Sequence, residues 1–347
     1  MNRTGIGFAL LSALLFGASA PVAKLLLDVT DPWMLAGLLY LGAGLGLAAV
    51  SAARAGLGLA RPEAPLRRHD LPWLGLVVLF GGLLGPVLMM SGLARTDAAS
   101  ASLLLNLEGV ATLVLAWTFF GENVDRRLML GAALIMAGAA ALSWQGGAGL
   151  DAGGGLIALA CLCWGLDNNL TRKLSSSDPI QIAMIKGLTA GAVNLGLAAV
   201  GGAGRPDMAT VAAAGLTGLL GYGVSIALFV LALRDLGAAR TGAYFSLAPF
   251  VGAVLAVALL GDPLSWALGL AAVLMAVGTW LHLTEHHDHA HDHEAMEHEH
   301  RHRHDLHHRH AHGPDDPPGE PHSHWHRHEP MRHSHPHYPD QHHRHGH

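Results

Sequence analysis

Glu108, Asp167 and Lys186 are the charged side chains that fall well inside apolar stretches of this 347-residue chain. A charge at mid-membrane costs roughly 2.5–3.5 kcal/mol on insertion scales, so each one asks for a partner or a task. Asn106, Asn168, Asn169, Asn194, Tyr222, Tyr244 and Ser246 stand around them. Such a set suits reversible binding rather than bond making. Carboxylates take cations or protons, an ammonium takes an anionic group, and amides and hydroxyls hold what is left of a small polar solute. Asn106, Glu108, Asp167, Asn168, Lys186, Tyr244 and Ser246 are therefore the candidate residues for a solute or a coupling ion. Glu108 reads either as a titratable gate or as a structural acid facing another helix, paired there with Lys186. Asp167 reads either as a site residue or as an anchor for Arg172 or Lys173. Lys186 reads as a site residue or as a side chain snorkelling to the membrane face. No paired acids, no nucleophile with its base and no fixed metal set occur at catalytic spacing, so no enzyme is expected.

A second chemistry lies in the last 62 residues, which hold 24 of the 26 histidines. Imidazoles recur at every second position in His289-Ala-His291-Asp-His293, His300-Arg-His302-Arg-His304 and His322-Ser-His324-Trp-His326-Arg-His328. On an extended chain that period puts them on one side, where two or three can share one zinc, nickel, cobalt or copper ion. The interleaved acids carry the whole formal charge of −5. Many exchangeable weak sites are expected here rather than one closed site, and none is required as a cofactor. The segment has seven prolines and no apolar periodicity, so disorder is expected over 286–347. Cys161 and Cys163, two apart on one helix, read as small apolar residues rather than as a metal pair.

The elements that must position the buried charges are long apolar helices. Hydrophobic residues make up 51% of the chain and charged ones 14%, and the mean hydropathy is +0.35, too apolar for a water-soluble domain. Ten spans fit, near 5–27, 33–53, 71–94, 97–119, 127–145, 153–173, 180–201, 207–233, 237–260 and 263–284. Each is long enough for a hydrocarbon layer of about 30 Å at about 1.5 Å per residue. The first could pass for a secretion signal ending in Ala18-Ser19-Ala20, but Pro21 follows at once and the segment has a counterpart later in the chain. Pro21, Pro86 and Pro249 fall inside spans and mark places where a freed carbonyl needs a new donor.

That counterpart belongs to an internal duplication. LLSALLFGASAPVAKLLLDVTDP (10–32) lies over ALACLCWGLDNNLTRKLSSSDP (158–179), with Phe16-Gly17 over Trp164-Gly165 and Ser19 over Asp167, about 148 residues apart. GLARTDAASASLLLNLEG (92–109) lies over LALRDLGAARTGAYFSLAP (231–249), and Gly121-Glu122 over Gly261-Asp262, at a spacing of 140. Five spans per copy is an odd number, so the copies must run in opposite senses, an arrangement associated with alternating-access carriers. The predicted fold is an all-α polytopic membrane protein of two inverted five-helix repeats, 1–145 and 153–285, with the tail as a third module. With the amino terminus inside, inner segments carry eleven Lys and Arg and outer ones three, which predicts both termini in the cytoplasm.

The Phe16-Gly17 and Trp164-Gly165 pairs with their following Asp-Pro turns, LLLNLEGVATLVLAWTFFGE (103–122) and YFSLAPFVGAVLAVALLGD (244–262) resemble the drug/metabolite transporter superfamily, in particular its EamA-type branch of ten-helix permeases. The resemblance covers roughly residues 5–285. It implies an inverted-repeat bundle with a central polar hollow that moves a small organic solute. Pro249 keeps the proline this family usually has at the end of the polar stretch, whereas the first copy has Glu108-Gly109, which reads either as a preference for a cation or cationic solute or as the mark of a divergent subfamily. The histidine tail is no part of the family pattern.

The leading expectation is a secondary transporter of a bacterial-type inner membrane for an amino-acid-like or other organic solute, with divalent metal bound on the tail. No nucleotide-binding motif supports a primary pump. One alternative makes zinc, nickel or cobalt the cargo and the tail its chaperone or buffer. Another, of a different class, is a membrane-tethered metal-binding or sensing protein. The expected partners are the lipid bilayer, a small-molecule substrate and divalent metal ions, with room for a homodimer and no role for nucleic acid.

Overall fold

The computed structural model describes residues 3–57, 66–120, 124–144, 151–171, 174, 178–236, 238–284 and four tail stretches, 287–293, 296–302, 322–328 and 331–337. Among the described residues of 3–284, the helices fall into ten rods. Spans 1, 2 and 5 are the unbroken helices Arg3–Leu27, Pro32–Gly56 and Arg126–Ser143. Spans 6, 7 and 10 are Ala152–Thr171, Pro179–Val200 and Trp266–Leu283. Span 3 runs Arg68–Leu93. Span 4 is Ala98–Leu104 followed by Leu107–Phe120. Span 8 is Met208–Gly218, Leu219–Val224 and Ser225–Leu236, and span 9 is Ala238–Phe245, Ala248–Leu255 and Ala256–Leu260. Among the described residues, eight of these rods are long and apolar enough to cross a membrane, and Ala248–Leu260 is a shorter apolar helix.

The irregularities repeat along with the sequence. Span 3 is wound as a π-helix over Val78–Leu84, and span 8 over Leu219–Val224. Spans 4 and 9 break at Leu105–Asn106 and at Ser246–Leu247. In span 9 the break precedes Pro249, which cannot donate to the preceding turn. Span 4 has Gly109 at that position. Its break is made of short-range bonds, Asn106 N–H to Leu103 O at 3.1 Å and Glu108 N–H to Leu105 O at 3.1 Å, and the Asn106 side chain donates to the same Leu103 O at 2.8 Å. A side-chain amide here does locally what proline does in the other copy. Pro21 and Asn169 are a similar pair in spans 1 and 6. Proline removes a donor to Gly17, while Asn169 Nδ2 donates to Gly165 O, one turn back, at 2.8 Å.

Packing crosses between the copies. Span 1 lies on spans 8 and 9, span 6 on spans 3 and 4, span 2 along span 7, and span 5 along span 10. Glycines make the closest approaches. A Cβ at Gly17 would strike the Ala248 carbonyl, and one at Gly165 would sit 2.9 Å from Ala111 Cβ and Thr112 N, the equivalent place in the other copy. Gly44 and Gly187 likewise leave no room for a side chain where spans 2 and 7 meet. The core between the rods is Leu, Ala and Met, including Leu35, Leu39, Met90, Leu93, Leu103 and Met275.

Helix starts are capped by aspartates, Asp31, Asp97, Asp125, Asp178 and Asp207, each satisfying N–H groups that the first turn leaves free. One cap comes from the opposite repeat. Asp262 follows Gly261, which turns the chain at φ 73°, and its Oδ2 accepts from Ala99 N–H of span 4 at 2.8 Å. Replacing Asp262 with alanine should lower stability by about 1 kcal/mol, and asparagine should keep most of it; thermal unfolding in detergent reads the difference.

Four tail segments are extended: β1 His287–His293, β2 Met296–His302, β3 His322–His328 and β4 Met331–His337. Their backbones pair antiparallel, β1 with β4 and β2 with β3. The period-two alternation of histidine with other residues suits an extended backbone.

Candidate functional site

Pro86 sets up the site. Winding span 3 as a π-helix sends the Gly85 N–H to Phe80 O. Gly81 O then loses its α-helical donor, and its next neighbour up the turn, Pro86, has no N–H to offer. Pro86 is also the residue whose N–H would serve Gly82 O in an α-turn. Three side chains from other spans take over, as buried carbonyls require. Tyr40 OH of span 2 donates to Gly81 O at 2.7 Å, Trp164 Nε1 of span 6 donates to the same oxygen at 3.2 Å, and Asn194 Nδ2 of span 7 donates to Gly82 O at 3.2 Å.

Directly behind Gly81 lies the Asp167 carboxylate, close enough that a Cβ on Gly81 would overlap it. Lys186 Nζ of span 7 donates to Asp167 Oδ2 at 2.7 Å, with side-chain exposures of 20% and 6%. Thr171 Oγ1 donates to Asp167 Oδ1 at 3.3 Å. One residue on, Asn168 Nδ2 donates to Glu108 Oε1 at 2.9 Å and to Thr112 Oγ1 at 3.2 Å. Thr112 Oγ1 in turn donates to Glu108 O at 2.8 Å. Glu108, Trp164 and Lys186 are half-buried and Asn168 is exposed, so the group is not sealed inside the bundle. Two carboxylates, one ammonium and several amides and hydroxyls from spans 2, 4, 6 and 7 thus converge on the freed carbonyls of span 3.

The equivalent place in the other copy repeats the close packing with different chemistry. Gly221 of span 8 packs on Ser19 of span 1, as Gly81 does on Asp167. Phe16, the counterpart of Trp164, meets Tyr222 edge-on at 5.7 Å between ring centres and Phe245 at 5.3 Å. Phe245 meets Phe229 at 5.0 Å, and Tyr222 meets Tyr40 at 5.8 Å. Tyr40 therefore joins the two halves, its hydroxyl on the polar side and its ring on the aromatic side. Ser12 and Ser225 pin spans 1 and 8 together beside it, each hydroxyl donating to the other's carbonyl at 2.8 and 3.0 Å.

Of the residues singled out from sequence, Glu108, Asp167, Asn168 and Lys186 come together. Lys186 pairs with Asp167, and Glu108 takes Asn168 as its partner. Arg172 and Lys173, the other anchors considered for Asp167, lie outside the described residues, as do Gly121, Glu122 and His304. Asn106 is placed elsewhere. Besides Leu103 O it donates to Met275 Sδ at 3.8 Å and accepts from Thr279 Oγ1 at 3.3 Å, so it ties the break in span 4 to span 10. Tyr244 and Ser246 flank Phe245 at the break in span 9, on the aromatic half, both half-buried. Of the tail histidines, His289, His291 and His293 lie on β1, His300 and His302 on β2, and His322, His324, His326 and His328 on β3.

Tyr40, Gly81, Thr112 and the indole N–H of Trp164 are site groups that sequence reading passed over. Thr112 stands one helical turn after Glu108, and the Gly81-Gly82 pair stands just before Pro86, so both left a local signal. Tyr40 left none.

Comparison with known proteins agrees with this architecture. The EamA-like transporter family matches the chain twice, over residues 3–144 and 152–284. An uncharacterized transporter of Methanothermobacter thermautotrophicus is 29% identical over 286 residues, covering 78% of this chain and 83% of that protein. A probable terminal-alkyne amino-acid exporter of Streptantibioticus cattleyicolor is 28% identical over 246 residues, covering 67% and 83%. One solved crystal structure superposes with a TM-score of 0.57 at 21% identity, over 81% of this chain and 96% of its own, which shows the fold alone.

Proposed function

The chain belongs to the EamA-like transporter family, and we propose that it is a secondary transporter of a bacterial-type inner membrane that carries an amino-acid-like or similar small organic solute by alternating access. The observation that carries this reading is the Glu108–Asn168 and Asp167–Lys186 group, assembled from spans of both copies around the one place where span 3 gives up its own hydrogen bonds. Groups held between repeats change surroundings when one repeat rocks against the other. Carboxylates suit an amine and Lys186 suits a carboxylate, so the charge pattern fits a zwitterion. The name of the Streptantibioticus relative, an amino-acid exporter, supports the same class. Glu108 is the coupling residue in this scheme: it takes or releases a proton as the solute leaves or enters. The distribution of Lys and Arg supports placing both termini in the cytoplasm.

Proteoliposomes holding the full chain test the reading. Uptake of labelled amino acids driven by a pH gradient should fall about tenfold or more in Glu108→Gln, the factor that about 1.4 kcal/mol carries, while exchange without a gradient, with both activities read at saturating solute, survives. Equal loss of both activities would count against coupling through Glu108.

A second reading is favoured by the tail. With 24 histidines among 62 residues, it binds zinc, nickel, cobalt or copper and supplies or buffers metal on the cytoplasmic side, with metal as the cargo of the carrier. Retention of metal should be strong at pH 7.5 and drop as pH falls through about 6.5, because protonated imidazoles cannot ligate. Equilibrium dialysis of the full chain against a chain ending at residue 285 measures it. Metal flux that needs the tail would favour this reading over an organic cargo, and organic flux indifferent to tail removal would favour the first.

A further inference from the structure

The two halves of the site are related by the duplication but differ in kind. The half built on spans 3, 4, 6 and 7 holds Glu108, Asp167 and Lys186. The half built on spans 1, 8 and 9 puts Phe16, Tyr222 and Phe245 in the equivalent places, with Ser19 where Asp167 would be. These rings are half-buried, not sealed in the core. Tyr40 touches both halves, through its hydroxyl on Gly81 O at 2.7 Å and its ring on Tyr222 at 5.8 Å.

A polar solute of uniform character would use only the first half. The charged half carries two acids against one base, which favours a head bearing an amine over an anionic one. Among the described residues, the aromatic half offers ring faces joined to the charged half through Tyr40, with no charged side chain among those rings. We propose that the solute lies across Tyr40, its amine-bearing head on Glu108 and the Asp167–Lys186 pair and an apolar side chain against Phe16, Tyr222 and Phe245. This rests on the transport reading above and adds to it the class of solute: an amphipathic amine or amino acid with a sizeable apolar side chain. The orientation follows too, since exchanging head and tail would press an apolar side chain against Glu108, Asp167 and Lys186 and take water from them without giving back a polar partner.

Competition against labelled leucine uptake, in proteoliposomes holding the full chain, reads this directly, with glycine, alanine, leucine and phenylalanine as competitors. In the wild-type protein, affinity should rise from glycine to phenylalanine by about tenfold to a hundredfold, as burial of a large apolar side chain provides. Phe16→Ala should flatten that series, with a loss that grows with the competitor's side chain. Glu108→Gln should weaken all four competitors by a similar factor and leave the slope of the series intact. Should Phe16→Ala fail to fold, Phe16→Leu and Tyr222→Leu give the same reading with less lost volume. A flat wild-type series overturns the proposal, and so does a Phe16→Ala loss equal for glycine and phenylalanine. A wild-type protein that moves no amine at all overturns the transport reading, and this inference with it.

Discussion

Replacing Lys186 with methionine is expected to be the most damaging single change in the polar group. Asp167 is only 6% exposed, and among the described residues Lys186 Nζ, at 2.7 Å, is the cation on it. With that charge gone, Thr171 remains as a donor to the carboxylate, at a long 3.3 Å. Breaking a buried pair from one side costs about 3–5 kcal/mol, because the stranded charge keeps its desolvation penalty. The reverse change, Asp167→Asn, should cost less. Lys186 is 20% exposed and its long stem can swing the ammonium toward water. Removing both charges, as Asp167→Asn with Lys186→Met, should return most of the stability, since an uncharged pair of similar volume is often neutral in a buried site. Transport should not return, because the head of the solute has then lost two of its three charged contacts and keeps only Glu108. Thermal unfolding of the four proteins in detergent gives the coupling between the two residues, and uptake separates folding from function. Equal melting temperatures for wild-type protein and Lys186→Met would show that the pair is not closed in the folded protein.

The duplication was legible because it is written in residues that backbone geometry demands. Phe-Gly and Trp-Gly recur where spans 1 and 6 pass close to spans 9 and 4, and Gly17 and Gly165 have no room for a side chain there. The Asp-Pro turns recur because Asp31 and Asp178 cap the following helices and proline fits the first turn. The break in span 9 could be read from Pro249, and the equivalent break in span 4 is carried by Asn106, whose type alone gives no such warning.

The charges were legible as anomalies in apolar surroundings, but their partners were not. Lys186 lies 19 positions from Asp167 in sequence, on another span, and no local spacing favours that pairing over Glu108. Pro86 announces that a carbonyl of span 3 is left without a donor. Which donors arrive depends on how spans 2, 6 and 7 are rotated, so Tyr40, Trp164 and Asn194 stayed invisible until those rods were placed. The asymmetry between the halves could be suspected from Ser19 standing opposite Asp167. It becomes chemistry only once the rings around Phe16 are seen together.

Gly81→Ala should abolish transport through a single methyl group. Gly81 is the point at which the freed carbonyl, its two donors and the back of Asp167 meet, and the added Cβ would overlap the carboxylate. Either the carboxylate turns away from Lys186 or the π-wound segment backs off and pulls Gly81 O from Tyr40 and Trp164. Both routes disturb the charged head site, and overpacking of this kind costs about 1–3 kcal/mol. Gly75 is the internal control. It lies in the same span, with nothing within 4 Å of a Cβ, so Gly75→Ala should leave transport unchanged and gain up to about 1 kcal/mol from helix propensity. The clash has a specific relief. With Asp167→Ala and Lys186→Met already in place, the obstructing carboxylate is gone, so adding Gly81→Ala should cost much less stability than it does in the wild-type protein. Non-additivity of that sign identifies contact between position 81 and position 167 as the cause. If Gly81→Ala costs the same in both backgrounds, the damage arises in the winding of span 3 itself, and Asp167 does not rest on Gly81.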